Sequence, residues 1–240
     1  MIDPRYIYFV SLTPFALVWA CLCWRRPDLR TEMLVMGGLC VFMAIASDQY
    51  WWTINYWRPE NITHTRVPYI EDIFFGVFVG GVAAVLYEVL GRKRHAQLRR
   101  TCTHCAGGLT LLLLLASITS WLFWGIGITS FYASAAALLI VACVMFTTRR
   151  DLFMDGLLNG LLLVLLSIFS YALILVLSPS WIDHAYLSQY LSGIRIEHVP
   201  VEEFIFWFLT GLVIGPLYEY WKGQRLMPLR QKNGSRRPLF

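Results

Sequence analysis

Two adjacent carboxylates, Glu202 and Glu203, stand at the head of an apolar run in VPVEEFIFWF, Val199 to Phe208. A second copy, VPYIEDIFFGVF, sets Glu71 and Asp72 before another apolar run. Carboxylates are costly in hydrocarbon, and ionisable groups at membrane depth are candidates for function. A single acid in the first turn of a helix is explained by the helix dipole alone, at about 0.3–1 kcal/mol. Here the acids are doubled within each copy and repeated between copies. Aromatic residues follow at helical spacing: Phe75 after Glu71, Phe206 after Glu202 and Trp207 after Glu203. A carboxyl pair that holds one proton between two groups suits acid and base roles, and aromatic faces stabilise a cation. Together these groups predict proton-initiated carbocation chemistry in an apolar cavity. The matching substrate is an apolar alkene drawn from the bilayer.

The elements that must position these residues are membrane helices. The chain has 240 residues, of which 58% are hydrophobic and 15% charged. Its mean hydropathy is +0.57. Soluble domains carry about 25% charged residues, so an integral membrane protein is expected, with no cleaved signal peptide. Seven apolar runs approach the ~20 residues a spanning helix needs. They are Ile7–Trp24, Met33–Trp52, Ile70–Leu90, Ala106–Trp124, Ser130–Thr147, Leu157–Leu177 and Val201–Trp221. Asp48 interrupts the second, and Gly125–Thr129 is a tight link after the fourth.

Charge sets the expected orientation. With seven spans and the N-terminus outside, sixteen of the 20 Lys and Arg fall on inner segments. Only Arg5, Arg58, Arg66 and Arg195 fall outside, which follows the positive-inside rule. The C-terminus is then cytoplasmic. The basic tail RLMPLRQKNGSRRPLF is expected to be a disordered surface segment, and no nucleic-acid binding is expected.

The halves repeat each other. Ile70-Glu71-Asp72, Phe75, Gly80 and Leu86-Tyr87-Glu88 match Val201-Glu202-Glu203, Phe206, Gly211 and Leu217-Tyr218-Glu219 at an offset of 131. Upstream, Asp28-Leu29 and Gly37 match Asp151-Leu152 and Gly160 at an offset of 123. The predicted fold is all-α and polytopic: seven transmembrane helices as two parallel three-helix repeats joined by a linker helix. The expected boundaries are 1–91 for the first repeat, 92–129 for a basic loop and the linker helix, 130–223 for the second repeat and 224–240 for the tail. Both carboxylate pairs would then lie at the outer end of their helices. Pro68 and Pro200 suit the first helical turn. Glu88 and Glu219, about 25 Å further along, read as interfacial salt-bridge partners of Arg92 and Lys222.

The sequence resembles the membrane-integral, flavin-independent lycopene (carotenoid) cyclases, which occur as paired small subunits or as fused proteins. Their signature is Pro-x-Glu-Glu/Asp before an aromatic-rich helix, once per half. VPVEEFIFWF matches it directly, and GIRIEHVPVEEF, Gly193 to Phe204, resembles its approach in fused members. SDQYWWTINYW, Ser47 to Trp57, resembles the family's Trp-Asp-Asn-Tyr segment, with Ser47 and Gln49 as departures. The resemblance implies a fused lycopene cyclase-like enzyme, an intramolecular lyase or isomerase of carotenoid biosynthesis. Such an enzyme protonates the end of a linear, lycopene-like carotene, closes a six-membered ring and removes a proton. The implied catalytic residues are Glu202, Glu203, Glu71 and Asp72, with Phe75, Phe206, Trp207, Asp48 and Tyr50 at the substrate. Pro68-Tyr69-Ile70-Glu71-Asp72 holds one residue more than the signature. The second pair is therefore expected to be the more essential.

Other readings fare less well. A Glu-Glu intramembrane protease would add histidines on other spans, whereas His64, His95, His104, His184 and His198 fall in loops, so no metal at depth is expected. A retinal pigment needs a lysine within its last span, and Lys222 sits at the edge. The apolar context of Gly76–Gly81 is no nucleotide fingerprint, and no flavin, nicotinamide or other cofactor is expected. Cys102 and Cys105 form a lone CxxC that reads as two free thiols, and Cys21, Cys23, Cys40 and Cys143 read as packing residues. The alternative is a proton-coupled transporter or a non-catalytic carotenoid- or lipid-binding membrane protein, since buried carboxylates also serve proton relays.

Overall fold

A computed structural model describes residues 2–67, 69–91, 93–97 and 104–228. Among them, seven helices are long and apolar enough to cross a membrane. They are α1 Pro4–Arg25, α2 Pro27–Asn55, α3 Tyr69–Leu90, α4 Gly107–Ile126, α5 Ser130–Thr148, α6 Arg150–Leu177 and α8 Val201–Lys222. A short helix, α7 Pro179–Ala185, lies between α6 and α8. The predicted runs all become helices. The second and sixth extend further than their apolar cores, because Glu32, Asp48, Asp155 and Asn159 are polar yet buried against neighbouring helices. The fourth ends at Ile126, where Gly127 takes a left-handed φ of 85° that a side chain would resist.

Two helix pairs pack most closely, α2 on α3 and α6 on α8. Small residues let the backbones approach, as they do generally between membrane helices. A β-carbon on Gly37 would meet the Val77 carbonyl oxygen at 3.1 Å, and one on Gly160 would meet that of Phe208 at 2.7 Å. In the reverse direction, a β-carbon on Gly80 would meet the Met36 carbonyl oxygen at 3.2 Å, and one on Gly211 that of Asn159 at 2.9 Å. These contacts pair residues at the same offsets, 123 and 131, that relate the two halves of the sequence. The helices are not identical inside. α3 carries a π-helical turn at Gly76–Gly80, whereas α8 is α-helical throughout and contains Pro216. α2 likewise winds into a π turn at Asp48–Trp52, a distortion frequent at functional sites.

One end of the bundle is closed by the loops before α3 and α8. Arg58 caps the C-terminal end of α2 by donating from Nη2 to the Thr53 carbonyl at 2.7 Å. The Arg58 amide donates to Ala185 O at 2.8 Å and the Leu187 amide to Tyr56 O at 2.9 Å, which stitches α2 to α7. The loop before α8 forms a hairpin of β2 Arg195–Ile196 and β3 Val199–Pro200. Arg195 anchors it through Asp183 and through Ser188 Oγ at 2.6 Å. Pro200 is the residue just before α8 rather than part of its first turn. Pro68 lies outside the described residues.

The other end corrects two expectations. Glu219 is not an interfacial salt-bridge partner of Lys222 among the described residues, and both Glu88 and Glu219 are buried. Both are 1% exposed, and with the buried Glu32 they form a group whose carboxylate oxygens lie within 4.8 Å of one another. Lys222 turns instead to the ring of Trp221, 4.7 Å from its centroid, a cation–π contact; Arg92 is outside the described residues. The tail also does not begin as a free segment. Gln224–Pro228 (β4) pairs antiparallel with Lys93–Gln97 (β1). The tail beyond Pro228 and the side chains of Cys102 and Cys105 lie outside the described residues. Cys21, Cys23, Cys40 and Cys143 are free thiols.

Candidate active site

The two acidic pairs enter their helices in the same way and then divide. Glu71 and Asp72 sit in the first turn of α3, Glu202 and Glu203 in the first turn of α8, and all four are buried. The first member of each pair turns back to the preceding loop. Glu71 Oε1 accepts the Ile62 amide at 2.8 Å, and Glu202 Oε1 accepts the Ser192 amide at 2.6 Å. Glu202 also accepts from the Tyr132 hydroxyl at 3.1 Å. Bonds from neutral donors to a carboxylate are stronger than neutral pairs, so these acids fasten the loops to the helix starts. The second member of each pair turns inward. Asp72 and Glu203 line one cavity between the helices, and Asp48 from the π turn of α2 joins them. Side chains one position apart in a helix point about 100° apart, which lets a single pair serve both loop and cavity.

The cavity encloses about 630 Å³, counting its open side, and among the described residues no Lys, Arg or His lines it. The cavity's acids differ in their partners. Glu203 accepts hydrogen bonds from the hydroxyls of Tyr56 and Tyr171, one on each carboxylate oxygen. Trp207 Nε1 donates to the Tyr171 hydroxyl at 3.0 Å, so the clasp is held from behind. Asp72 accepts from the Tyr8 hydroxyl on Oδ1 at the longer distance of 3.4 Å. Among the described residues no hydrogen-bond partner reaches Asp72 Oδ2 or Asp48 Oδ2. One acid is thus fixed as an acceptor, while two keep a buried oxygen with no hydrogen-bond partner among the described residues.

The rest of the wall is aromatic. Phe15 stacks on Trp207 with centroids 5.1 Å apart and planes 16° apart, and Phe75 meets the same indole at 5.8 Å. Trp52 meets Phe206 edge-on at 5.0 Å. Trp57 packs on Tyr186 at 4.7 Å and on Tyr8 at 5.5 Å. A cation formed among these rings faces π clouds and carboxylates, with no basic side chain in the wall to repel it.

Most of the sequence-based candidates meet here: Asp48, Asp72, Phe75, Glu203, Phe206 and Trp207 all line the cavity. Glu71 and Glu202 do not. Tyr50 does not either: it is 59% exposed, with its ring beside Trp51. The reason is angular, since residues two apart on a helix point to nearly opposite sides, and Asp48 takes the inward one. The reading of the sequence missed Tyr8, Phe15, Trp52, Tyr56, Trp57, Tyr171 and Tyr186. Trp52, Tyr56 and Trp57 lie within the SDQYWWTINYW stretch, where their spacing after Asp48 was a usable signal. Tyr171 stands alone in an apolar run, and nothing local marks it.

Comparison with known proteins bears on the second half of the site. A family model described as lycopene cyclase matches residues 129–221. No curated protein and no solved structure matches the chain. The matched segment contains Glu203, its Tyr171 clasp, and Phe206 and Trp207. Over residues 129–221 the chain is similar to the lycopene cyclase family.

Proposed function

We propose that the protein is a cofactor-independent carotenoid cyclase that closes a six-membered ring at the end of a linear, lycopene-like carotene. The observation that carries this reading is the cavity in which Asp72 and Glu203, from opposite halves, meet under an aromatic wall with no basic residue. Asp72 is the proton donor, because its Oδ2 is not committed to a protein donor. Its proton passes to the terminal carbon–carbon double bond. The resulting cation is attacked by the neighbouring double bond, and a carbon–carbon bond closes the ring. Glu203, held as an acceptor by two tyrosines, removes a proton from the ring carbon and restores a double bond. One proton enters and one leaves, so the product is an isomer and no redox partner is needed. Asp48, which lines the same cavity, returns a proton to Asp72. Phe75, Phe206 and Trp207 shield the cation, and Glu71 and Glu202 position the acids by holding their loops.

The matching glycine contacts and the parallel loop-holding bonds support a fused protein of two like-oriented three-helix units joined by α4. The charge distribution supports an N-terminus outside and a cytoplasmic C-terminus. The decisive experiment is expression in lycopene-accumulating bacteria followed by pigment analysis. Ring-bearing carotenes are expected, and their absence at confirmed expression would overturn the reading for that substrate. A proton-coupled transporter would instead show gradient-dependent uptake into vesicles, whereas a cyclase works in detergent and lipid with no gradient.

A further inference from the structure

Beside the acid-lined cavity lies a second one, of about 710 Å³ counting its open side, between α2, α4, α5 and α8. The two share a wall: Ala44, Trp52, Phe75 and Phe206 line both. Their chemistry differs. The first holds three carboxyls, whereas among the described residues no charged one lines the second. Three of its four hydroxyl groups have partners in the protein. Ser47 Oγ donates to Ala44 O at 2.9 Å, Thr119 Oγ1 donates to Leu115 O at 2.9 Å, and Ser134 Oγ accepts from Trp52 Nε1 at 3.1 Å. With those atoms satisfied, the wall offers mainly carbon surface.

We propose that this second cavity binds the distal polyene chain of the substrate whose end group reacts in the first; this rests on the cyclase reading for the identity of that end group. The shared aromatic wall argues for one long occupant rather than an unrelated lipid tail, since only a molecule reaching both cavities has a use for their junction. The linker helix α4 supplies Leu112, Leu115, Ala116 and Thr119. These recur three and four residues apart and form one face, about 10 Å long at 1.5 Å per residue. That face lies outside the segment matched by the family model. The linker thus has a task of its own, as the wall that admits an extended apolar chain.

The test fills the cavity from α4. Ala116→Trp, and the milder Ala116→Leu should Ala116→Trp fail to fold, are compared with Leu113→Trp on the lipid-facing side of the same helix, where Leu113 is 59% exposed. Lycopene retained by the purified protein is read from its visible absorbance, and ring formation is followed on lycopene and on an acyclic apocarotenoid of half its length. The expected result is that the Ala116 variant loses lycopene retention by at least about tenfold. It should keep its turnover of the short substrate, with Leu113→Trp behaving as wild type. A folded Ala116→Trp that retains and cyclises lycopene as well as wild type would overturn the proposal. Wild-type retention that is lost in Ala116→Trp, with no ring formed by any protein, would keep the polyene site and overturn cyclisation.

Discussion

Replacing Glu203 by glutamine separates the two kinds of acid at the site. Glutamine has the same shape and leaves one oxygen to accept from Tyr56 or Tyr171. The remaining amide can donate to the other hydroxyl, so the cost in stability should stay near one neutral hydrogen bond, about 1 kcal/mol. What the variant cannot do is take a proton from the ring carbon. General base catalysis contributes about 10²–10⁴ in rate, and turnover should fall by that factor. Glu202→Gln is the contrast. Its Oε1 still accepts the Ser192 amide and the Tyr132 hydroxyl, and the main loss is the charge assistance of the shorter, 2.6 Å bond. The difference between a charged and a neutral bond, about 1 kcal/mol, allows a drop of no more than about fivefold. The assay is the rate of ring-bearing pigment formation in membranes with quantified protein, alongside thermal stability in detergent. A folded Glu203→Gln that keeps more than about a tenth of wild-type turnover refutes the assignment. So does a Glu202→Gln that falls as far as Glu203→Gln with its stability intact.

Further outcomes follow from the same geometry. Cyclisation in heavy water should leave one solvent deuteron on each new ring, measured by mass spectrometry of the product, because the proton is delivered by a carboxyl that exchanges with solvent. Gly211→Ala would press a methyl to within 2.7 Å of Gly160 Cα; it should cost about 1–3 kcal/mol. Gly38→Ala, which meets nothing within 4 Å, should leave the detergent melting temperature unchanged. Omitting flavin and reductant, and collapsing any proton gradient, should leave the turnover of reconstituted protein unchanged in a pigment assay.

The seven spans were legible because hydropathy over about twenty residues is a strong and local signal. Their ends were less so. α2 carries Glu32 and Asp48 towards its two ends and α6 carries Asp155 and Asn159 near its start; the burial of these polar residues depends on neighbouring helices, and no local pattern records that. The acids of the site were legible as types and spacings, but their division of labour was not. Glu202 and Glu203 look alike in sequence, and only the helix turn decides which meets Ser192 and which meets Tyr171. Glu219 was misread for the same reason: proximity to Lys222 along the chain said nothing of Glu32, which approaches from another helix.

The acids of α2, α3 and α8 have a consequence for how the protein experiences its surroundings. Each of these helices carries a buried carboxyl near both ends: Glu32 and Asp48, Asp72 and Glu88, Glu203 and Glu219. Within each pair the separation is sixteen residues, or about 24 Å of helix. At an effective dielectric constant near 20, two charges so far apart interact by about 0.7 kcal/mol, equivalent to about half a pH unit. A charge in one group is therefore felt only weakly in the other. The two ends of the bundle are thus separate electrostatic sites, and a substitution that removes a charge at one end leaves the field at the other nearly as it was.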